Sequence, residues 1–171
     1  VPSWMLKLLN RILEYSGREN LSEVWPNLEA YFHGAVRFEP YKKQFDQLTK
    51  GLNVNYLELY NASEGFFGIQ DQSDVHEMLL MLDYGIYYEF IPMNELNNEN
   101  PKTLSLEEVK TEENYAIVIT TNAGLWRYKI GDTIQFTSTS PYRIIVSGRT
   151  KHFINAFGEE VIVDNADRAI S

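Results

Sequence analysis

The chain has 171 residues, 44% of them hydrophobic, a length that supports one large domain or two small ones with a sizeable core. Its formal net charge of −9 argues against nucleic acid or an anionic membrane surface as the main partner, because both are held through clustered Lys and Arg. There is no cysteine, so disulfides and Cys-rich zinc sites are excluded, and no apolar run reaches the roughly 18 residues of a membrane span; a soluble, cytoplasmic protein is expected.

Residues 4–15 carry Met5, Leu8, Leu9 and Ile12 at helical spacing, with Ser3 as N-cap and Gly17 as stop. A short second helix over residues 21–25 is expected, capped by Asn20 with Glu23 reaching back, and ended by Pro26. "NLEAYFHGA" (27–35) reads as a buried strand entering a glycine turn. A third helix follows, with Pro40 in its first turn, Tyr41, Phe45 and Leu48 as its apolar stripe and Gly51 at its end. "VNYLELY" is the next strand. Residues 27–60 thus give strand, helix, strand, for which a parallel pair with a crossover helix is the economical arrangement. Ligands of such sheets collect beyond the carboxyl ends of the strands, where "FHGA" and "NASEG" fall.

From residue 78 the pattern changes. "MLLML" and "IYYEFI" flank "DYG", a hairpin signal, and "NELNNENPK" is a polar loop. "SLEE" offers a capping box between Ser105 and Glu108. Then "YAIVITT", "NAG", "LWRYKI", "GD", "TIQFTS", "TSP" and "YRIIVSG" alternate strand and turn, which predicts an antiparallel, curled or barrel-like sheet. The expected fold is α/β, with a parallel βαβ portion over residues 1–75 and a mostly antiparallel portion over 76–150. The chain opens at Val1 and stops at Ser171 inside what reads as a helix, "VDNADRAI", so it is expected to be a segment of a longer protein.

Three segments carry candidate chemistry. In "LYNASEGFFGIQ" (59–70), Tyr60 offers a flat face to a purine, Ser63 a hydroxyl to a phosphate oxygen, and Glu64 a carboxylate to magnesium, which is content with one or two carboxylates when phosphates supply the rest. The same residues also suit an ordinary strand-end turn. In "RYKIGDTI" (127–134), Gly131 and Asp132 read either as a hairpin turn or as a carboxylate that accepts two hydrogen bonds from a vicinal diol. In "VSGRTKHFINAFGEE" (146–160), Arg149 could reach a sugar or a phosphate. The three histidines, His33, His76 and His152, have no metal-ligand spacing.

In this order, "VPSWMLKLL", "EVWPNLEAYFHGAVRFEPY", "YNASEGFFGIQ", "MLLMLDYGIYYEFIP", "LWRYKIGD" and "SGRTKHFINAFGEEV" resemble the acyl acid amido synthetase family, the auxin-responsive amido synthetases and their bacterial relatives, within the adenylate-forming superfamily. The resemblance covers nearly the whole chain. It implies that Tyr60 packs on adenine, Ser63 contacts phosphate and Glu64 holds magnesium, the last two as catalytic residues. It likewise implies that His33, Gly34 and Ala35 line the adenine pocket, that Asp132 holds the ribose hydroxyls with Tyr128 in the same motif, and that Arg149 is a ribose contact. Residues 151–171 resemble the hinge before a mobile carboxyl-terminal domain, although Lys151 departs from the Asp common there. By the same resemblance the chain is part of the large domain, with a Ser/Thr/Gly-rich phosphate loop before Val1 and a small domain after Ser171.

The implied activity uses ATP and Mg2+ to adenylate a carboxylic acid, which is then joined to an amino acid. A CoA ligase of the same superfamily and a non-catalytic acidic interaction module are the alternatives. The isolated segment is expected to be inactive.

Overall fold

The computed structural model describes residues 1–34, 36, 38–73 and 75–150, together with the backbone of 153–156 and 159–162. The chain divides into two compact units, Val1–Met81 and Leu82–Ser171.

In the first unit, Pro2 takes the first helical position of α1 (Pro2–Ser16), where a missing N–H and a fixed φ cost nothing. The helix therefore starts earlier than the apolar spacing predicts, Val1 is its N-cap, and Ser3 lies inside it. Gly17 closes it. The buried stripe is Leu6, Leu9 and Leu13, whereas Leu8 is 53% exposed. Two apolar stripes share this helix, and only packing decides which one faces inward. The expected second helix is a single 3-10 turn, Leu21–Glu23. Asn20 is its N-cap residue as expected, but the bonds differ: the Asn20 Oδ1 accepts from the Ser22 hydroxyl, and Glu23 reaches back one residue further, its Oε1 accepting from the Glu19 N–H at 3.3 Å.

Strand β1 (Ala30–His33) is short and only its last residue is buried; Phe32 is 48% exposed. Helix α2 (Glu39–Leu48) has Pro40 in its first turn and buries Phe45. Strand β2 (Asn55–Ala62) lies parallel to β1, from Ala30 opposite Asn55 to His33 opposite Glu58. The predicted βαβ arrangement is therefore present. Leu6, Leu9, Leu13, Leu21, Phe38 and Phe45 form its core, with Tyr31 stacked on Phe45 at 4.7 Å. Strands β3 (Gly65–Ile69) and β4 (Met78–Leu80) add on antiparallel, giving the order β1-β2-β3-β4.

The second unit is an antiparallel meander of β5 (Ile86–Pro92), β6 (Asn114–Thr121), β7 (Tyr128–Thr139) and β8 (Tyr142–Arg149). On one face Phe90, Tyr115 and Phe136 meet edge to face with centroids 5.0 to 6.2 Å apart, a favoured aromatic geometry. On the other face Leu96, from the polar loop, packs on Ile91, Ala116 and Val118. The capping box forms: the Glu108 carboxylate accepts from the Ser105 N–H at 2.8 Å and its hydroxyl at 2.9 Å, and these bonds hold the carboxyl below its ordinary pKa. Strands β9 (Phe153–Ala156) and β10 (Glu159–Ile162) form a separate antiparallel pair.

Two expectations need correction. "DYG" does not close a hairpin, because β4 is bonded to β3 and β5 to β6. Nor does "GD" reverse the chain: "YKI" and "TIQFTS" belong to one strand, β7, which carries a bulge. Alternating hydrophobicity reports a strand but not its partner.

Candidate functional site

The first unit positions five of the expected site residues. The chain leaves β1 at Gly34, where a Cβ would stand 2.5 Å from the Leu59 carbonyl oxygen and 3.6 Å from Asn61 Oδ1. Only glycine lets the end of β1 pass this close to β2, and the passage brings it against the residues flanking Tyr60. His33 is buried, its ring parallel to that of Phe38 at 4.2 Å, and its Nδ1 is buried without a hydrogen-bond partner. Burial pushes the imidazole pKa down, opposed by the Glu39 carboxylate, so the neutral ring is favoured. A buried, unpartnered ring nitrogen is a polar group that a nucleobase edge could satisfy. Ala35 lies outside the described residues.

Tyr60 faces Gly68, and the pairing slips so that β3 carries one extra residue, Phe67. Phe67 is fully buried, and its ring centroid lies 5.0 Å from that of Tyr60, which is itself 8% exposed. The bulge thus fixes the tyrosine ring. Ser63 and Glu64 are the two-residue turn of the β2–β3 hairpin, with Ala62 opposite Gly65. Ser63 is exposed, Glu64 half-buried, and neither side chain has a partner among the described residues. Among the described residues no three His, Asp or Glu cluster as a metal cage. One carboxylate on a turn fits magnesium, which keeps waters and takes its other oxygens from phosphates.

Sequence reasoning missed the residue that ends this segment. Gln70 is buried; its Oε1 accepts from the Glu58 N–H at 2.8 Å, while Nε2 donates to the carbonyls of Gln72 at 3.3 Å and Val75 at 2.7 Å. The side chain ties β2 to the loop before β4. A glutamine ending an apolar strand is the only trace of this in the sequence.

The second unit positions Tyr128, Asp132 and Arg149. Between the pairs Val118–Lys129 and Ala116–Thr133, β6 advances two residues and β7 four. The surplus is a bulge around Gly131, whose φ of 95° favours glycine. The Gly131 carbonyl accepts from the Thr150 N–H at 2.8 Å and from its hydroxyl at 3.1 Å. Asp132 follows, opposite Arg149, with Nε 3.1 Å from Oδ1. The structure therefore brings Asp132 and Arg149 together. Tyr128, 41% exposed, opens β7 opposite Ile119 and is not part of that pair.

Thr150, Glu89 and Arg127 were also missed. Arg127 Nε and Nη2 each lie 2.9 Å from the Glu89 carboxylate, a two-pronged pair between residues far apart in the chain. No local pattern announces such a pairing. The hinge-like segment, including Lys151, lies outside the residues whose side chains are described.

The chain matches the GH3 family N-terminal domain over residues 1–54 and the GH3 family central domain over residues 79–149. A jasmonoyl--L-amino acid synthetase, JAR4 of Nicotiana attenuata, is 33% identical over 123 residues, 67% of this chain and 21% of its own. The indole-3-acetic acid-amido synthetase GH3.3 of Arabidopsis thaliana is 30% identical over 144 residues, 77% of this chain and 23% of its own. Among solved structures, the GH3.15 acyl acid amido synthetase superposes with a TM-score of 0.60 at 21% identity, over 93% of this chain and 29% of that one, a likeness of fold. The chain thus spans between a fifth and a quarter of the length of these curated relatives.

Proposed function

The chain belongs to the GH3 family, and from that premise we propose that its parent protein is an ATP-dependent acyl acid amido synthetase. ATP and a carboxylic acid are its first substrates and an amino acid is its acceptor. The acid's carboxylate attacks the α-phosphorus of ATP, forming a C–O–P linkage as the bond to pyrophosphate breaks. The acceptor's amine then attacks the acyl carbonyl and expels AMP. No protein nucleophile is needed, so the chain's task is alignment and charge neutralisation.

Each residue has a part in that task. Ser63 donates to a phosphate oxygen and Glu64 holds magnesium, which supplies positive charge where pyrophosphate departs. Tyr60, His33, Gly34 and Ala35 line the adenine. Asp132 accepts from the ribose hydroxyls, with Tyr128 in the same motif and Arg149 beside it. Relatives named for amide synthesis favour an amino acid over CoA as acceptor.

The observation that carries this reading is the setting of Asp132. A Gly-Asp pair serving only to reverse the chain would end a strand, yet β7 runs on through it, with the Gly131 carbonyl held by Thr150 and the carboxylate paired with Arg149. Such fixing suits a binding group.

ATP–pyrophosphate exchange in the full-length protein tests the proposal. Glu64→Ala is expected to slow exchange by about 100-fold or more, and Asp132→Ala to raise the KM for ATP. Wild-type exchange in both variants would refute it, and a hydroxamate screen against CoA identifies the acceptor class.

A further inference from the structure

Helix α1 carries a second apolar stripe that the core of the first unit leaves uncovered. Trp4, Leu8, Ile12 and Tyr15 follow one another at spacings of four, four and three, the period of one helix face. At about 100° per residue they share an arc of about 80°, and Leu6, Leu9 and Leu13, which enter the core, lie on the far side. Lys7, Arg11 and Glu14 gather on one flank, so no charge interrupts the stripe. Trp4 is 75% exposed, Leu8 53% and Tyr15 90%, while Ile12 is half-buried. The Lys7 ammonium, 5.8 Å from the centroid of the Trp4 ring, covers a small part of it.

Single exposed apolar side chains are ordinary, but these adjoin along one helix. A tryptophan and a tyrosine each bring about 150 to 250 Å² to bury, so the stripe reaches the size of a contact surface, on the order of a few hundred Å². It falls short of the roughly 800 Å² per partner of a stable dimer, which disfavours a second copy as its cover. The chain spans between a fifth and a quarter of its curated relatives, which leaves ample polypeptide in the parent protein to cover it. α1 lies within the N-terminal domain match, and the central domain match begins at residue 79, so polypeptide that shares a domain with α1 is to be sought on the amino-terminal side.

We propose that this stripe is the docking face for the part of the parent polypeptide that precedes Val1. That segment lays apolar side chains along α1, seated over Leu8 between the Trp4 and Tyr15 rings. α1 is then a two-sided helix, with one stripe in the core of the first unit and the other in an interface that completes the domain. No nucleotide, acid or acceptor takes part, so the inference goes beyond the proposed reaction.

Two measurements on the full-length protein test it. In hydroxyl-radical footprinting, Trp4 and Tyr15 are expected to be oxidised at least about tenfold more slowly than in a synthetic peptide of residues 1–18. In photo-cross-linking, a full-length Tyr15→p-benzoylphenylalanine variant is expected to join, within one polypeptide, to a peptide that precedes Val1. The proposal is overturned if either residue is oxidised as fast as in the free peptide. It is equally overturned if the cross-link reaches a second polypeptide, reaches a peptide beyond Ser171, or does not form. Neither readout involves ATP or pyrophosphate, so failure of the proposed reaction leaves both standing.

Discussion

Asp132 and Arg149 stand opposite each other on β7 and β8, with Arg149 Nε 3.1 Å from Asp132 Oδ1. The carboxylate side chain is 13% exposed and the guanidinium 45%, so solvent screens the pair in part. The pair sits between the exposed and buried limits, and its energetic weight is discounted for that exposure. Its larger consequence is orientation of the carboxylate.

On the proposed reaction, Arg149→Ala in the full-length protein is expected to raise the KM for ATP by roughly tenfold while changing kcat less, with a stability loss of about 1 kcal/mol. Arg149→Lys should rescue only in part, because a lysine has no fixed Nε–H to place beside Oδ1. Steady-state kinetics with varied ATP, paired with urea unfolding, checks both. An unchanged KM in Arg149→Ala would remove the orienting role.

Gly131 allows a second prediction, about the backbone beneath that carboxylate. Its φ of 95° lies where a Cβ is strained, and its carbonyl is gripped twice by Thr150. Gly131→Ala is expected to cost about 1 to 2 kcal/mol in urea unfolding. Thr150→Val keeps the main-chain bond and loses the hydroxyl bond, so a loss nearer about 1 kcal/mol is expected. Equal stability of Gly131→Ala and the parent would mean that the bulge carries no strain.

These two sites show how far the sequence could be read. The βαβ portion was legible because Pro40, the Phe45 stripe and the short polar links are local signals, and a parallel pair needs a crossover of that kind. The strand character on either side of Asp132 was legible, but the bulge between was not, since a Gly-Asp pair looks the same in a turn as inside a long strand. The "DYG" hairpin failed because pairing is decided by partners distant in sequence, β3 for β4 and β6 for β5. Glu89 and Arg127 escaped for the same reason.

Gln70 leads to a third prediction. One side chain satisfies the Glu58 N–H and two carbonyls, so a substitution that fills the same space without polar atoms takes the partner from three main-chain groups at once. Gln70→Leu is expected to lose about 1 to 3 kcal/mol. Gln70→Glu keeps the acceptor toward Glu58 but sets carboxylate oxygen against the carbonyls of Gln72 and Val75. It should therefore be destabilised more near neutral pH than in acid, where a protonated carboxyl can donate one of those bonds. Unfolding curves for the two variants at two pH values separate packing from polarity, and a Gln70→Glu protein as stable as wild type at neutral pH would contradict the bonding scheme.

His33 provides the last prediction, one of pH. Its ring is buried against Phe38 with Nδ1 unpartnered, and burial holds its pKa below the ordinary 6.5 despite Glu39. Above that value the ring is neutral in both the folded and unfolded chain, and it contributes no pH dependence. As pH falls through 6.5 the unfolded chain takes up a proton that the folded chain resists, so stability drops until the lower folded pKa is passed. His33→Phe keeps an aromatic ring beside Phe38 and removes the titration. The difference in unfolding free energy between variant and wild type is expected to grow in favour of the variant between about pH 8 and about pH 5. All other residues are common to the two proteins, so their contributions cancel to first order. Urea unfolding across that range makes the measurement. Parallel profiles would mean that His33 takes up its proton as readily in the folded protein as in the unfolded one, and that the ring is not held neutral by its burial.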